Sequence, residues 1–136
     1  MSLKLEAVGV IVADMERSLD FYRRLGASFP EGAEQEDHNS AELGVLHLML
    51  DTEESVRSFD PGWTRGRGSP PVSLAFRCED SEDLDATYAR LTEADPASAH
   101  KEPWDAFWGQ RYAQLRDPDG NGVDLFADLE SGQVGG

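Results

Sequence analysis

The chain repeats a strand-to-helix segment at an offset of 66 residues. In each copy, an apolar strand ends at an Asp and an amphipathic helix follows it. The matched residues include Asp14 and Asp80, Tyr22 and Tyr88, Arg24 and Arg90, and Leu25 and Leu91. Because neither copy can bury its apolar face alone, the repeat predicts two similar modules around one core. We expect the two modules to share a binding site as well.

Turn-forming residues divide the 136-residue chain into two modules within one predicted domain. The first module is predicted at about residues 4–55 and the second at about residues 72–128. Residues 51–71 are rich in Pro and Gly, which predicts a connector without regular structure, either a plain linker or a lid over a cavity. Residues 131–136 are predicted to form a disordered tail.

Capping residues mark both predicted helices. Asp14 has the chemistry of an N-cap, and Gly26 suits the C′ position because a residue without Cβ tolerates a left-handed backbone. In the second module, Asp80 or Ser81 begins the helix, and an Asp-Pro pair lies beyond its end. Apolar residues recur at helical spacing between these signals, at Met15, Leu19, Tyr22 and Leu25 and again at Leu84, Tyr88 and Leu91.

Period-two patterns predict the strands. They lie at residues 5–12, 27–29, 43–50, 72–78, 111–116 and 122–127, and the rest of residues 27–43 is predicted as a polar loop. The last two strands are joined by Asp-Pro-Asp-Gly at residues 117–120, with Pro second and Gly fourth as a type I turn prefers.

Each predicted strand separates into an apolar face, which the helices can cover, and a mixed face. The apolar face holds Val8, Val10, Val12, Leu46, Leu48, Leu50, Leu74, Phe76, Cys78, Val123 and Leu125. The mixed face holds Ala7, Gly9, Ile11, Val45, His47, Met49, Ser73, Ala75, Arg77, Gly122, Asp124 and Phe126. Small residues beside polar ones favour a cavity wall, while the outer face of a half-wet antiparallel sheet remains the alternative.

The formal net charge of −15 argues against nucleic-acid binding, because a phosphate backbone requires a basic surface. It also disfavours anionic membranes. The acidity either attracts a cationic ligand or keeps the surface solvated. Without an 18-residue apolar run or a signal-peptide core, and with Cys78 as its one cysteine, the chain is predicted to be cytoplasmic. Cys78 is interpreted as a small buried hydrophobe.

The sequence resembles the vicinal oxygen chelate superfamily, which includes glyoxalase I, extradiol dioxygenases, fosfomycin-modifying enzymes and bleomycin resistance proteins. The resemblance rests on Val-Ile-Val-Ala-Asp at residues 10–14, Ser-Leu-Asp-Phe-Tyr at residues 18–22 and the closing segment 117–125. It implies an α+β fold in which two βαβββ modules form a curved mixed sheet, or cup, that a homodimer often completes.

The resemblance also implies four metal-ligand positions, one on each of four strands. They map onto Ala7, His47, Ser73 and Asp124, so two of the four have lost the donors that suit such metals. Three interpretations of His47 and Asp124 remain open: a ligand-binding or structural pair, a general base, or a Zn, Ni, Mn or Fe site completed by other residues. His38 and His100 are interpreted as surface residues.

Aromatic residues cluster before the penultimate strand, at Trp104, Phe107, Trp108 and Tyr112. The resemblance implies that Trp108 with the following Gly lines a ligand groove, as in antibiotic-binding members. Large flat side chains suit aromatic ligands. Packing against a partner subunit is the alternative.

Three functions therefore compete. The first is a small-molecule-binding protein without metal or other cofactor, and the second is a metal-dependent lyase, isomerase or dioxygenase that uses His47 and Asp124. The third is a module that binds another protein through the mixed face. For the first function the predicted ligand contacts are His47, Met49, Ser73, Arg77, Trp104, Trp108, Tyr112, Asp124 and Phe126.

Overall fold

A computed structural model describes residues 2–129, so the predicted tail at residues 131–136 lies outside the described residues. The chain divides into two compact units between residues 67 and 68, inside the predicted connector. Within residues 2–129, no helix has the length and apolar character needed to cross a membrane.

The first unit is a three-stranded mixed sheet with two helices. Its elements are β1 (Ala7–Val12), α1 (Met15–Arg24), β2 (His38–Leu43), β3 (Leu46–Thr52) and α2 (Glu53–Phe59). The strand order is β1-β3-β2, with β1 parallel and β2 antiparallel to β3. The unit therefore has one strand fewer than the βαβββ module that the resemblance implies.

Helix α1 begins and ends where the sequence predicts. The Asp14 carboxylate accepts a hydrogen bond from the Arg17 N–H at 3.2 Å, which satisfies one of the free donors of the first turn. At the other end, Gly26 has φ 106°, and its N–H donates to the Arg23 carbonyl at 3.0 Å. The Ala27 N–H donates to the Tyr22 carbonyl at 3.0 Å, so the helix closes in a Schellman motif.

Substitution of Gly26 by Ala is expected to lower the free energy of unfolding by about 1–2 kcal/mol, because a Cβ strains a backbone with positive φ. Gly62→Ala is the matched control, since its φ is not positive and nothing lies within 4 Å of an added Cβ. Urea unfolding measures both variants. Equal losses in the two variants would contradict the role of the Gly26 backbone.

The second unit has the complete βαβββ order. Its elements are β4 (Ser73–Arg77), α3 (Ser81–Ala94), β5 (Ala99–Asp105), β6 (Gln110–Arg116) and β7 (Gly122–Asp128). The strand order is β4-β7-β6-β5, with β4 parallel to β7 and the other pairs antiparallel. Asp80 is the N-cap of α3, and its carboxylate accepts from the Asp83 N–H at 2.8 Å. The predicted α+β fold is confirmed.

Four local predictions are wrong. Residues 27–29 are not a strand, although Ala27 and Phe29 are buried, and the predicted loop contains β2 instead. The connector contains α2, which Thr52 caps by accepting from the Ser55 N–H at 3.1 Å. Strand β5 was not predicted. Val45 was predicted on a strand face, but it lies in the turn between β2 and β3 and is 94% exposed.

The predicted apolar faces form the core of each unit. In the first unit, the buried side chains include Val10, Val12, Leu48 and Leu50 of the sheet and Leu19 and Tyr22 of α1. In the second, they include Ala113, Leu115, Val123 and Leu125 of the sheet and Leu84 and Leu91 of α3. Leu74 and Phe76 on the edge strand β4 are only half-buried.

Cys78 is buried, as predicted. Burial raises the pKa of its thiol to about 11, and the negative charge of Asp83 acts in the same direction. The raised pKa disfavours the thiolate, which is the reactive form of cysteine, and agrees with the interpretation of Cys78 as a buried hydrophobe.

Candidate functional site

The mixed face of the second sheet carries most of the predicted site residues, and we call it the Asp124 face. Paired positions in neighbouring strands place its side chains in three rows. The rows, read from the β5 edge towards β4, are Arg116, Gly122 and Ser73; Lys101, Gln114, Asp124 and Ala75; and Trp104, Tyr112, Phe126 and Arg77.

Asp124 is a buried carboxylate with one satisfied oxygen. Its side chain lies on the central strand β7 and is only 6% exposed. The Tyr112 hydroxyl donates to Oδ2 at 2.8 Å, whereas Oδ1 is buried and has no hydrogen-bond partner among the described residues. A buried acceptor without a donor costs roughly 1–3 kcal/mol, and a charged one costs more. Asp124 is therefore poised to accept a further hydrogen bond.

The third row is a continuous series of aromatic rings. Trp104 contacts Tyr112 edge-on at 5.6 Å between ring centroids, and Tyr112 stacks on Phe126 at 6.5 Å. Arg77 lies over the far ring, with its guanidinium carbon 4.7 Å from the Phe126 centroid. The row thus brings together four predicted site residues from four strands.

Trp108 extends this row at the loop between β5 and β6. Its ring meets Tyr112 at 5.4 Å and Trp104 at 6.3 Å, and its Nε1–H donates to Gln110 Oε1 at 2.9 Å. Gln110 in turn donates to Asp128 at 3.1 Å. Trp108 is 47% exposed, so part of its ring is available to a ligand.

Small residues flank Asp124 on the side of β4. Ala75 is its register neighbour, and Gly122 and Ser73 form the next row. A Cβ added at Gly122 would collide with the Ser73 hydroxyl, so a side chain at position 122 requires that hydroxyl to move. Gly122 and Ala75 therefore present almost no side-chain bulk beside the carboxylate.

The turn between β6 and β7 sets the register of Tyr112 against Asp124. The Gly120 N–H donates to the Asp117 carbonyl at 2.9 Å, as expected for the predicted turn. The Asp117 carboxylate accepts from the Asp119 N–H at 2.9 Å and from the Asn121 N–H at 2.8 Å. It also accepts from the Asn121 amide at 2.9 Å.

The mixed face of the first sheet, which we call the His47 face, carries two histidine–carboxylate pairs. His47 Nε2 lies 3.9 Å from Glu42 Oε1, and His38 Nδ1 lies 2.6 Å from Asp51 Oδ1. The sequence indicated neither pair, because both depend on the pairing of β2 with β3. Ala7 also lies on this face, paired with His47, and Met49 lies two residues along β3 from His47 on the same face.

His47 and Asp124 each have a partner within their own sheet, so their predicted mutual pairing stays a prediction. His100 also has a partner, since Arg116 Nη2 lies 3.0 Å from its Nε2. Among residues 2–129, no three His, Cys, Asp or Glu side chains form a group that could hold a metal ion. With Ala at one family position and Ser at another, these donors do not fit a three-ligand metal site.

The middle of the connector contacts the first unit. Two guanidinium groups lie over the Trp63 ring, with the Arg57 carbon 5.1 Å and the Arg65 carbon 5.5 Å from its centroid. Arg65 also donates to Glu53 Oε2 at 2.7 Å and to the Ile11 carbonyl at 3.1 Å. The segment therefore packs against α2 and the end of β1. A plain linker would make few contacts of this kind.

Burial raises the pKa of Tyr112 to about 12, and the hydrogen bond to Asp124 and the charge of that carboxylate act in the same direction. Because the folded protein holds this proton more tightly than the unfolded chain, the resulting stabilisation is complete below about pH 10. We expect it to be lost as the pH rises towards 12. Thermal unfolding of wild type and Tyr112→Phe between pH 9 and about 12 tests this, because only the wild type should lose the Tyr112 contribution. Parallel pH profiles would contradict it.

Comparison with known proteins identifies the family. Residues 4–125 match the model of the Glyoxalase/Bleomycin resistance protein/Dioxygenase superfamily. A glyoxalase/bleomycin resistance protein/dioxygenase family enzyme from Burkholderia phytofirmans is similar in structure, with TM-score 0.80, 18% identity, and coverage of 93% of this chain and 100% of that chain. A glyoxalase/bleomycin resistance protein/dioxygenase from Nocardioides has TM-score 0.78, 22% identity, and coverage of 96% of this chain and 87% of that chain.

A lactoylglutathione lyase from Agrobacterium tumefaciens has TM-score 0.66, 18% identity, and coverage of 91% of this chain and 92% of that chain. At sequence identities of 18–22%, the structural similarity to these proteins is evidence for the fold alone. No curated protein matches the sequence. The family model, by contrast, covers most of the chain and includes both repeated segments. The chain therefore belongs to the Glyoxalase/Bleomycin resistance protein/Dioxygenase superfamily.

Proposed function

We propose that the protein binds an organic small molecule on the Asp124 face without a metal ion. The ligand combines a basic group that donates N–H with an aromatic ring. One observation carries this proposal: the buried Asp124 carboxylate keeps an oxygen without a donor directly beside a row of aromatic rings. An N–H donor would satisfy that oxygen, and a flat ring would pack against Trp104, Tyr112 or Trp108.

The electrostatics of the chain favour a ligand of this kind. A formal net charge of −15 attracts cations over a distance of about one Debye length. The Tyr112 hydroxyl already donates to Oδ2, so the ligand needs to supply one donor rather than two. His47 and Met49 on the other sheet stay predicted contacts.

Tryptophan fluorescence tests the proposal with a panel of basic glycopeptide and quinone antibiotics. The chain has three Trp residues, and Trp63 lies in the other unit, so Trp63→Phe leaves Trp104 and Trp108 as the reporters. We expect saturable quenching by at least one basic aromatic compound, and Asp124→Asn should weaken it. The absence of any change across the panel would contradict the proposal.

Elemental analysis tests the metal-independent part separately. Protein purified without chelator or metal-affinity resin should contain less than one equivalent of Zn, Ni, Mn or Fe. A stoichiometric metal that His47→Ala releases would overturn metal independence and favour the lyase, isomerase or dioxygenase alternative.

We further propose a homodimer, in which the edge strands of the sheets find partners in a second copy. Each sheet has two edge strands within its unit, β1 and β2 in the first and β4 and β5 in the second. Light scattering at micromolar concentration should give twice the chain mass of 15.0 kDa. A monomer would contradict the proposed dimer. The cytoplasmic location is a separate prediction that rests on the sequence.

A further inference from the structure

The second row of the Asp124 face carries a positive charge as well as a negative one. Lys101 on β5 pairs with Gln114 on β6, which pairs with Asp124 on β7. Two strand spacings separate the backbone positions of Lys101 and Asp124, which is about 10 Å. The row therefore ends in a cation at the β5 edge and has a carboxylate near its centre.

Lys101 has no carboxylate partner among the described residues, although the chain contains 27 Asp and Glu residues. Its ammonium lies instead 4.5 Å from the Trp104 ring centroid. Two arginines of the same sheet pair with carboxylates, Arg77 with Asp128 at 2.9 Å and Arg111 with Asp85 at 2.8 Å, whereas Arg116 contacts His100. Lys101 is thus a cation on this sheet that no carboxylate of residues 2–129 neutralises.

The strand itself is irregular around Lys101. The register between β5 and β6 shifts on both sides of this residue, between Ala99 and Lys101 and again between Lys101 and Trp104. Such irregularities re-aim a side chain and are common beside binding sites. Here they bring the ammonium over the Trp104 ring, at the end of the aromatic row.

Both ends of the aromatic row are covered by protein cations, Lys101 over Trp104 and Arg77 over Phe126. Asp128 offsets the charge of Arg77, so a positive group on the ligand is repelled mainly at the Lys101 end and is attracted to Asp124. A negative group on the ligand is attracted to Lys101, because the ammonium has no other anion beside it.

From this arrangement we infer that the ligand is zwitterionic: its ammonium binds Asp124 Oδ1, its carboxylate or other anion binds Lys101, and an aromatic ring lies between the two charges. The inference rests on the proposed function and narrows its ligand class. It assigns Lys101 a role in specificity.

Three compounds with one ring and different charges test the inference. Para-aminomethylbenzoate carries both charges, para-aminomethylbenzamide lacks the anion and para-methylbenzoate lacks the cation. NMR titration of the backbone amides gives each Kd at low ionic strength. We expect loss of the ammonium to weaken binding about tenfold or more. Loss of the anion should weaken it about two- to fivefold, since Lys101 is exposed.

Lys101→Gln should abolish the difference between the benzoate and the benzamide. Lys4→Gln is the matched control, because Lys4 is also exposed and pairs with Glu6 in the first unit. Equal effects of the two variants, or equal binding of benzoate and benzamide to wild type, would overturn the inference. The same holds if Lys101→Gln causes only aggregation, as expected for a lysine that merely protects an edge strand.

Failure of this inference differs from failure of the proposed function. If basic aromatic compounds bind but the zwitterion has no advantage, the proposed function stands and the role of Lys101 is lost. If neither these compounds nor the antibiotic panel binds, both are wrong.

Discussion

Replacement of Asp124 by Asn should weaken the binding of a basic aromatic ligand about tenfold or more while the protein stays folded. Asn keeps the shape of the side chain and an oxygen that can accept from the Tyr112 hydroxyl. It loses the negative charge and turns the second oxygen, which lacks a donor, into an amide nitrogen. Fluorescence or NMR titration gives the affinity, and urea unfolding shows that the fold persists.

Asp128→Asn is the control for this variant. It removes the same charge from the same strand, but Asp128 is exposed and already pairs with Arg77 and Gln110. Its ligand affinity should stay within about twofold of wild type, because exposed charges contribute little. The prediction is wrong if both variants lose affinity equally or if Asp124→Asn binds as wild type does.

The double variant Tyr112→Phe/Asp124→Leu separates binding from stability. Removing both partners of a buried polar contact often leaves stability unchanged or raises it by about 1–4 kcal/mol, whereas removing one leaves the other unsatisfied. We therefore expect the double variant to unfold at no lower urea concentration than wild type and to bind no basic ligand. A double variant less stable than both single variants would show that the pair is a net stabiliser of the fold.

Substitution of Asp117 by Ala should lower the free energy of unfolding by about 3 kcal/mol. The carboxylate is buried and accepts from the backbone N–H groups of Asp119 and Asn121 and from the Asn121 side chain. Ala accepts none of these, and the turn between β6 and β7 loses its internal bonds. Urea unfolding followed by Trp fluorescence reports on this unit, with Trp63→Phe as background.

Asp117→Asn is the matched variant, since its side-chain oxygen can still accept from both backbone N–H groups. The bond from the Asn121 amide then loses its acceptor, so the expected loss is about 1 kcal/mol. If Asp117→Ala cost no more than Asp117→Asn, the carboxylate would not be what holds the turn. Because this turn sets the register of Tyr112 against Asp124, Asp117→Ala should also weaken ligand binding.

Features that depend on a few neighbouring residues were predicted correctly. The Asp14 and Asp80 caps, the Gly26 ending and the turn that begins at Asp117 are all confirmed. Each depends on backbone groups within about four residues, so the sequence contains the whole interaction. Alternation along the strands also placed Asp124 and Phe126 on one face, because side chains in a strand alternate between faces.

Elements that depend on distant partners were missed. Strand β2 is largely polar, and its pairing with β3 rather than its own residues makes it a strand. Strand β5 lies at an edge, contains Pro103 and has an irregular register, so its pattern is weak. Helix α2 is only seven residues long, and the Pro and Gly residues after it dominated the prediction for the connector.

The same limit explains the site. Tyr112 and Asp124 were both candidates, but their hydrogen bond follows from the register of β6 and β7, which the sequence did not show. Lys101 was not a candidate because its strand was not predicted. Gln114 could have been found, since it alternates with Tyr112 on the predicted strand and so shares its face.

Ser73 and Gly122 occupy neighbouring positions, and a Cβ at position 122 would collide with the Ser73 hydroxyl. In homologous sequences, a larger residue at one position should therefore accompany Gly at the other, and the two should covary. The exchanged pair Ser73→Gly/Gly122→Ala should fold, whereas Gly122→Ala alone must displace the serine. Directed evolution of a new ligand specificity at this corner should then proceed through paired codon changes rather than through single steps.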